Sequence, residues 1–276
     1  MLEVLKAAFY GLIQGLTEFL PVSSSGHLAI LRSWMGLEFG DAILFSLILH
    51  LGSLVAVCIM YRRDIQELFV GFIVLFIKII TGRFKYSKLS PGERFAIMIF
   101  LATLPLILGA VIDKHIEFLA DSARLVGLFL MINAVILFVS DRIPKGDLTE
   151  KTASPKNALF VGVCQLIAVV PGISRSGATI TGGLLSGFDR KFAVKFSFIM
   201  SIPAILGASV FKIADFAVSD NTVTFVMVAS CIVGFLVALA AGICAIFLVN
   251  IIARNKNFTY FAVYCAVVGL IALIAG

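Results

Sequence analysis

Polar side chains interrupt the first apolar segment of the chain between Gly11 and Gly26, where the sequence reads GLIQGLTEFLPVSSSG and is followed by His27. Gln14 and Glu18 are four residues apart and therefore share one face of a helix. A carboxylate in hydrocarbon costs at least about 2.5 kcal/mol, so such a group marks a functional site by default. We interpret this stretch as half of such a site.

A second polar interruption begins at Pro171 and reads PGISRSG, ending at Gly177. Arg175 carries a forked cation that suits phosphate oxygens. Ser174 or Ser176 is expected to cap the helix that follows Gly177, because serine side chains accept hydrogen bonds from the first amides of a helix. The second loop is therefore interpreted as the phosphate holder.

In the first loop, Ser24 or Ser25 is expected to cap a helix that starts near His27. Each helix N-terminus presents unpaired N–H groups and roughly half a positive charge, so two such ends that meet make an anion site. Besides Arg175, the residues expected to hold the substrate are Gln14, Ser23, Ser25, Gly26, Ser174, Ser176 and Gly177.

The first loop also carries the groups for a reaction. Glu18 can ligate Mg²⁺ (with Ca²⁺ as the alternative) or act as a base, and Gln14 can add a neutral oxygen ligand. His27 can attack phosphorus or transfer protons, and Ser24 can attack or donate a hydrogen bond. This combination predicts metal-assisted phosphoryl hydrolysis inside a membrane, with Glu18, Ser24, His27 and Arg175 as catalytic residues.

Each residue also has a structural interpretation. Serines in membrane helices often bond back to the carbonyl four residues earlier. Arg175 can be a packing cation paired with Glu18, and His27 can be an interfacial histidine. His50, in the middle of an apolar run, is interpreted as structural. The convergence of so many polar residues in two loops favours the functional interpretation.

The composition places these loops in a membrane protein. The chain is 61% hydrophobic and 14% charged, with a mean hydropathy of +1.09, whereas soluble domains are about half apolar and about a quarter charged. We predict an all-α polytopic membrane protein. The net charge of +6 is attributed to Lys and Arg in cytoplasmic loops rather than to nucleic-acid binding.

The apolar segments predict two re-entrant helix-loop-helix hairpins and about six full transmembrane helices. Pro21 and Pro171 break the first helix of each hairpin, since a proline disfavours helical geometry in the residue before it. Residues 65–82 have basic residues on both sides and are expected not to cross. The expected spans are 40–60, 95–112, 124–140, 192–212, 222–252 and 258–276. Residues Asp113–Ala123 and Asp215–Asn221 are expected to be outer loops.

A shift of 151 residues aligns the two polar loops and gives 11 identities in the 40 ungapped positions from Phe9 to Ile48. We therefore predict one integral membrane domain over residues 1–276, with a first repeat at about 1–140, a linker at about 141–156 and a second repeat at about 157–276. Three crossings separate the hairpins on this count, so the repeats are predicted to have inverted topology, with their loops meeting near the bilayer midplane.

The stretches GLTEFLPVSSSGH and PGISRSGATITGG resemble the two signature motifs of the bacterial undecaprenyl-pyrophosphate phosphatases, the bacitracin-resistance type. Gln14 and Glu18 match the family's (Glu/Gln)-x-x-x-Glu pair. Ser24 and His27 fall in its PVSS-x-GH motif, and Arg175 falls in its PG-x-SRSG motif. Many members have Glu at the first position, so Gln14 leaves this chain one carboxylate fewer.

The resemblance implies dephosphorylation of a C55 isoprenyl pyrophosphate lipid to its monophosphate, which recycles the carrier for peptidoglycan synthesis and confers bacitracin resistance. It also implies a divalent metal, a multi-pass location in the bacterial inner (cytoplasmic) membrane, and an active site open to the outer side. A homodimer is left open.

Two chemical routes remain at this stage: His27 attacks the terminal phosphorus with Ser24 assisting, or Ser24 attacks with His27 as base. A rival function is transport, such as flipping of the isoprenyl phosphate lipid, because inverted repeats with broken helices are also transporter architecture. A structural scaffold would leave the cost of the polar loops unexplained.

Overall fold

The computed structural model describes residues 1–35, 42–217, 224–254 and 258–276, and over these ranges the regular secondary structure is helical. The all-α prediction is confirmed for this part of the chain. The α-helices within it are α1 (Leu2–Phe19), α2 (Ser24–Met35), α3 (Ala42–Met60), α4 (Arg62–Ile80), α5 (Pro91–Thr103), α6 (Pro105–Ile116), α7 (Ala123–Ser140), α8 (Pro155–Ile167), α9 (Arg175–Leu185), α10 (Arg190–Ala217), α11 (Phe225–Arg254) and α12 (Thr259–Ala275).

Several helices are long and apolar enough to cross a membrane, which fits a multi-pass membrane protein. In the described ranges they number four, or up to five if the bent pair of α3 and α4 counts as one span. These four lie at Pro91–Gly109, Ala123–Ser140, Arg190–Val210 and Phe225–Arg254. The helix α12 is apolar but has only 17 residues, at the short end of what spans hydrocarbon. The predicted count of six therefore stays a prediction.

Two expected segments differ in detail from the sequence-based prediction. The span expected at 95–112 is interrupted at Leu104, because Pro105 lacks the backbone N–H that would continue the helix. The helix α4 meets α3 at an angle of 90°. The segment predicted not to cross therefore does not continue along the axis of α3. Several of its large apolar side chains are exposed, including Phe69 and Phe76.

The outer loop expected at Asp113–Ala123 is mostly helical, because α6 continues to Ile116 and a 3-10 helix follows at Glu117–Asp121. The loop expected at Asp215–Asn221 begins later than predicted, since α10 runs to Ala217. Residues 218–223 lie outside the described residues. Both differences arise where helical hydrogen bonding extends into segments whose acidic residues suggested a loop.

The segment 141–156, expected to be a linker, packs against the corner between α9 and α10. The amide of Leu148 donates to the Gly187 carbonyl at 3.0 Å, and the amide of Asp189 donates to the Leu148 carbonyl at 2.9 Å. Arg190 Nη1 donates to Asp141 Oδ1 at 3.3 Å. This connection is therefore fixed to the second hairpin by hydrogen bonds.

Small residues allow the helices of the site to approach closely. A Cβ placed on Gly11 of α1 would lie 2.4 Å from the Gly234 carbonyl of α11, and a Cβ placed on Gly127 of α7 would lie 2.6 Å from the Gly269 carbonyl of α12. Such backbone contact is typical of helix packing in membranes. It fixes α1 on α11 and α7 on α12, and thereby the frame around both loops.

Candidate active site

The first loop turns at Ser23, which has a φ of 71° and precedes α2. Its hydroxyl accepts a hydrogen bond from the Gly26 amide at 3.2 Å. The prediction that Ser24 or Ser25 caps a helix starting near His27 is therefore wrong: Ser23 is the cap and α2 starts three residues earlier. Because Ser23 caps the helix, the Ser24 side chain is available for another contact.

The second loop begins its helix at Arg175, with Ser174 as the N-cap. Ser174 Oγ accepts from the Gly177 amide at 3.1 Å and lies 3.0 Å from Ser176 Oγ. Capping by Ser174, one of the two expected residues, is confirmed, although the helix starts at Arg175 rather than after Gly177. Ser176 Oγ donates to the Leu20 carbonyl of the first loop at 3.3 Å, so the two loops are in direct contact.

Glu18 is the centre of the polar contacts. Its Oε1 accepts from Arg175 Nη2 at 2.5 Å. Its Oε2 accepts from Ser24 Oγ at 2.7 Å and from Gln14 Nε2 at 2.9 Å. Glu18 and Gln14 are buried. The structure therefore brings three other predicted site residues, from both loops, to the Glu18 carboxylate.

A cavity of about 50 Å³ opens beside this carboxylate. Of the predicted residues, Gln14, Gly26, His27, Ser176 and Gly177 are absent from its wall. Its lining consists of Thr17, Glu18, Ser23, Ser24, Ser25, Ala168, Ile173, Ser174 and Arg175.

Arg175 retains capacity for an anion after pairing with Glu18. Its Nη1 is buried and has no hydrogen-bond partner among the residues that the structure describes. A guanidinium has five N–H donors, and buried donors favour a partner. The pairing with Glu18 that was considered as a purely structural role is present, but it leaves part of the fork available at the cavity.

His27 is directed towards α12. Its Nδ1 lies 2.8 Å from the Ser23 carbonyl, and its Nε2 lies 2.8 Å from the hydroxyl of Tyr264. A carbonyl can only accept, so Nδ1 carries a proton and, in the neutral ring, Nε2 accepts from Tyr264. The ring planes are parallel within 3°.

Three site residues were missed by the sequence analysis or given only a structural role. His50 Nε2 lies 3.9 Å from Glu18 Oε2, while its Nδ1 donates to the Ser46 carbonyl at 2.7 Å. Tyr264 contacts His27, and Asn133 of α7 contacts both loops. Each lies on an apolar helix outside the two motifs. The polar type of Asn133 and His50 within apolar runs is a signal that identifies them as candidates.

The residues fit a hard divalent cation only in part. Glu18 offers carboxylate oxygens, and the buried Gln14 Oε1 has no hydrogen-bond partner in the described part of the chain. Among the described residues no group of three or more His, Cys, Asp and Glu side chains is suited to a metal. Mg²⁺ commonly binds through one or two carboxylates together with substrate phosphates. Glu18 and Gln14 fit this mode of binding, in which substrate phosphates supply the other ligands.

The helices and this buried site define a multi-pass α-helical membrane protein whose two loops form an anion-suited cavity. The sequence profile of the family described as "Bacitracin resistance protein BacA" matches residues 7–271. The chain belongs to this family, which confirms the resemblance of its two motifs.

Full-length relatives carry a common name. An undecaprenyl-diphosphatase of Methanosphaera stadtmanae is 38% identical over 278 residues, with 99% of this chain and 98% of that protein covered. An undecaprenyl-diphosphatase of Methanobrevibacter smithii is 39% identical, with 98% and 96% covered. One of Alkaliphilus metalliredigens is 35% identical, with 98% and 97% covered.

Proposed function

We propose that this protein hydrolyses undecaprenyl pyrophosphate to undecaprenyl phosphate and phosphate, which recycles the lipid carrier for cell-wall synthesis and confers bacitracin resistance. Its family membership and the names of its relatives support this activity. The single observation that carries the proposal is the Glu18 carboxylate, which holds the Ser24 hydroxyl and the Arg175 guanidinium side by side at one cavity.

The pyrophosphate would lie in the cavity between the two helix N-termini, with its isoprenyl tail in the lipid. Arg175 Nη1 and the amides and hydroxyls at the start of α9 would bind phosphate oxygens, because helix N-termini and guanidinium groups both favour anions. Phosphate would compete with Glu18 for Arg175. The Glu18 carboxylate would then become a better proton acceptor as substrate binds.

The geometry supports Ser24 as the attacking group. Its hydroxyl lines the cavity and already donates to Glu18 at 2.7 Å, the arrangement of a nucleophile with its base. Ser24 Oγ would form a bond to the terminal phosphorus as the bridging P–O bond breaks. The serine proton would pass to Glu18 and on to the departing undecaprenyl phosphate. Water would then attack the phosphorus of phosphoserine, the P–O bond to Ser24 would break, and a proton from that water would return to Ser24 Oγ as phosphate leaves.

The alternative attack by His27 requires a rearrangement. Its Nε2 accepts from Tyr264, and that hydroxyl must move before the nitrogen can reach phosphorus. A rapid quench in denaturant, followed by separate acid and alkali treatment of the trapped protein, distinguishes the two routes: phosphate that survives acid, as phosphoserine at Ser24, supports serine attack, whereas phosphate that is lost in acid but kept in alkali, as phosphohistidine at His27, refutes it.

Glu18 and Gln14 would hold a divalent metal, with Mg²⁺ favoured over Ca²⁺ because it binds well through few carboxylates and phosphate oxygens. When bound, the metal would neutralise negative charge on the phosphates. Because position 14 is Gln rather than Glu, the protein offers one carboxylate fewer. Substrate oxygens would therefore supply more of the ligands of the metal.

The helix packing also supports two inverted repeats. The helix α1 packs along α11, α8 packs on α5 and α6, and α7 packs along α12, so that each hairpin lies against the other half of the chain. This exchange is expected of inverted repeats whose broken helices meet near the midplane. On this topology we propose that the cavity opens to the outer side of the cytoplasmic membrane.

The activity is tested with purified protein in detergent micelles, by measuring phosphate release from undecaprenyl pyrophosphate with and without a chelator. We expect release from the pyrophosphate, little from the monophosphate, and loss with the chelator. Reconstituted vesicles would reveal lipid flipping. Flipping without any phosphate release would support the transporter instead, a function that the comparisons do not favour.

A further inference from the structure

One side chain, that of Asn133 in the middle of α7, forms hydrogen bonds with both loops of the site. Its Nδ2 donates to the Pro21 carbonyl in the first loop at 2.9 Å, and its Oδ1 accepts from the Ser174 amide in the second loop at 3.0 Å. Asn133 is completely buried. Its Nδ2 also lies 3.5 Å from Cys265 Sγ of α12.

We propose that Asn133 is a positioning residue that sets the spacing of the two loops and so aligns Glu18 and Ser24 with Ser174 and Arg175. The inference rests on the proposed function, because the alignment matters for a reaction that uses both loops at once. Asn133 does not line the cavity, so its effect on the reaction is through the loops.

The packing around Asn133 shows that the loops meet on α7. A Cβ placed on Gly26 would lie 3.1 Å from Gly172 Cα and 3.4 Å from Val126 Cγ1 of α7. A Cβ placed on Gly177 would lie 3.2 Å from Asn133 Oδ1. Glycine at both positions therefore leaves the space in which the loops reach each other and α7.

An asparagine suits this position because one short side chain must supply one donor and one acceptor at once. A carboxylate has only acceptors, and leucine, of similar size, has neither. Without Asn133 the Pro21 carbonyl and the Ser174 amide would be left buried and unpaired, which favours movement of the loops. A shift of about 1 Å in reacting groups lowers a rate by roughly 100-fold.

The test compares Asn133→Leu with Ser140→Ala, a control on the same helix. Ser140 is also fully buried, and among the residues that the structure describes its hydroxyl donates to the Leu137 carbonyl of its own helix alone. We expect Asn133→Leu to lower kcat about 100-fold, with a KM change below about threefold because the lipid tail keeps the substrate in the micelle. Ser140→Ala should keep the wild-type rate.

A second readout does not depend on activity. Hydrogen exchange measured by mass spectrometry should be faster in peptides over 19–27 and 171–177 of Asn133→Leu, and unchanged there in Ser140→Ala. Unchanged exchange in both loops would overturn the positioning role. If the wild type released no phosphate while the loops still exchanged faster, the proposed function would fail and the link between the loops would stand.

The third variant, Asn133→Asp, tests whether the two hydrogen bonds, rather than the size of the side chain, hold the loops in place. A protonated carboxyl has one O–H donor and one carbonyl acceptor, so it reproduces both contacts. Rates are divided by the wild-type rate at the same pH, so that titrations common to both proteins, including those of Glu18 and Cys265, cancel. The relative rate should approach the wild type as pH falls from 8 to 5, while Asn133→Leu stays low. Equal, low relative rates for both variants at every pH would contradict the proposal.

Discussion

The ion pair between Glu18 and Arg175 joins the two loops, and its effect on folding stability can be measured. The Glu18 side chain is 7% exposed and that of Arg175 is 17% exposed, so both charges are largely removed from water. Glu18→Gln leaves a buried cation without its carboxylate, and Arg175→Met leaves a buried carboxylate without its cation. Breaking a buried pair from one side costs about 3–5 kcal/mol, so we expect each variant to lower the free energy of unfolding by about 3 kcal/mol.

The double variant removes both charges and leaves no unpaired ion. Its cost should therefore fall short of the sum of the single costs by about 2–3 kcal/mol. Unfolding in mixed micelles, followed by circular dichroism, gives the four free energies of this cycle. Glu3 and Lys6 provide the control, since their 2.9 Å pair is more exposed and its coupling should stay below about 1 kcal/mol. Additive costs for Glu18 and Arg175 within about 0.5 kcal/mol would refute the structural coupling of the loops.

Three further variants probe individual contacts in the phosphatase assay. Tyr264→Phe removes one neutral hydrogen bond to His27, so kcat should fall about two- to twelvefold; a loss above 100-fold would show that the hydroxyl does more than orient the ring. Gly26→Ala adds a methyl group 3.1 Å from the opposite loop and should lower kcat at least about tenfold, whereas Gly207→Ala, with nothing within 4 Å, should match the wild type. Gln14→Glu adds a carboxylate, so the Mg²⁺ concentration for half-maximal phosphate release should fall; a rise would argue against metal binding at that position.

The contact between the two loops could be predicted from the sequence, because their polar side chains are energetically unfavourable in hydrocarbon and so mark both loops as parts of a site. Gln14, Glu18, Ser24 and Arg175 stand out against apolar surroundings, and their residue types are those that bind metals and phosphates. The structure brings all four together. A helix period alone was enough to predict that Gln14 and Glu18 face one another.

The partners of these residues could not be placed from sequence. The sequence distance from the motifs does not predict which other helices contact the site, since helix packing decides which faces meet. The residues that reach the site in this way are Asn133, His50 and Tyr264. The N-cap was misassigned because several serines in a row are equally suited to cap, and only the positive φ at Ser23 selects one. The exact number of spans depends on the bend between α3 and α4, which hydropathy does not encode.

The most direct test of the central claim is the initial rate of phosphate release from undecaprenyl pyrophosphate by the wild type, Glu18→Gln and Arg175→Met, each corrected for folded protein. One site built from both loops predicts that each substitution lowers the rate by roughly 10²–10⁴-fold, the range for loss of a catalytic proton acceptor or charge contact. A wild-type rate in either variant would contradict the claim that the two loops form one catalytic site.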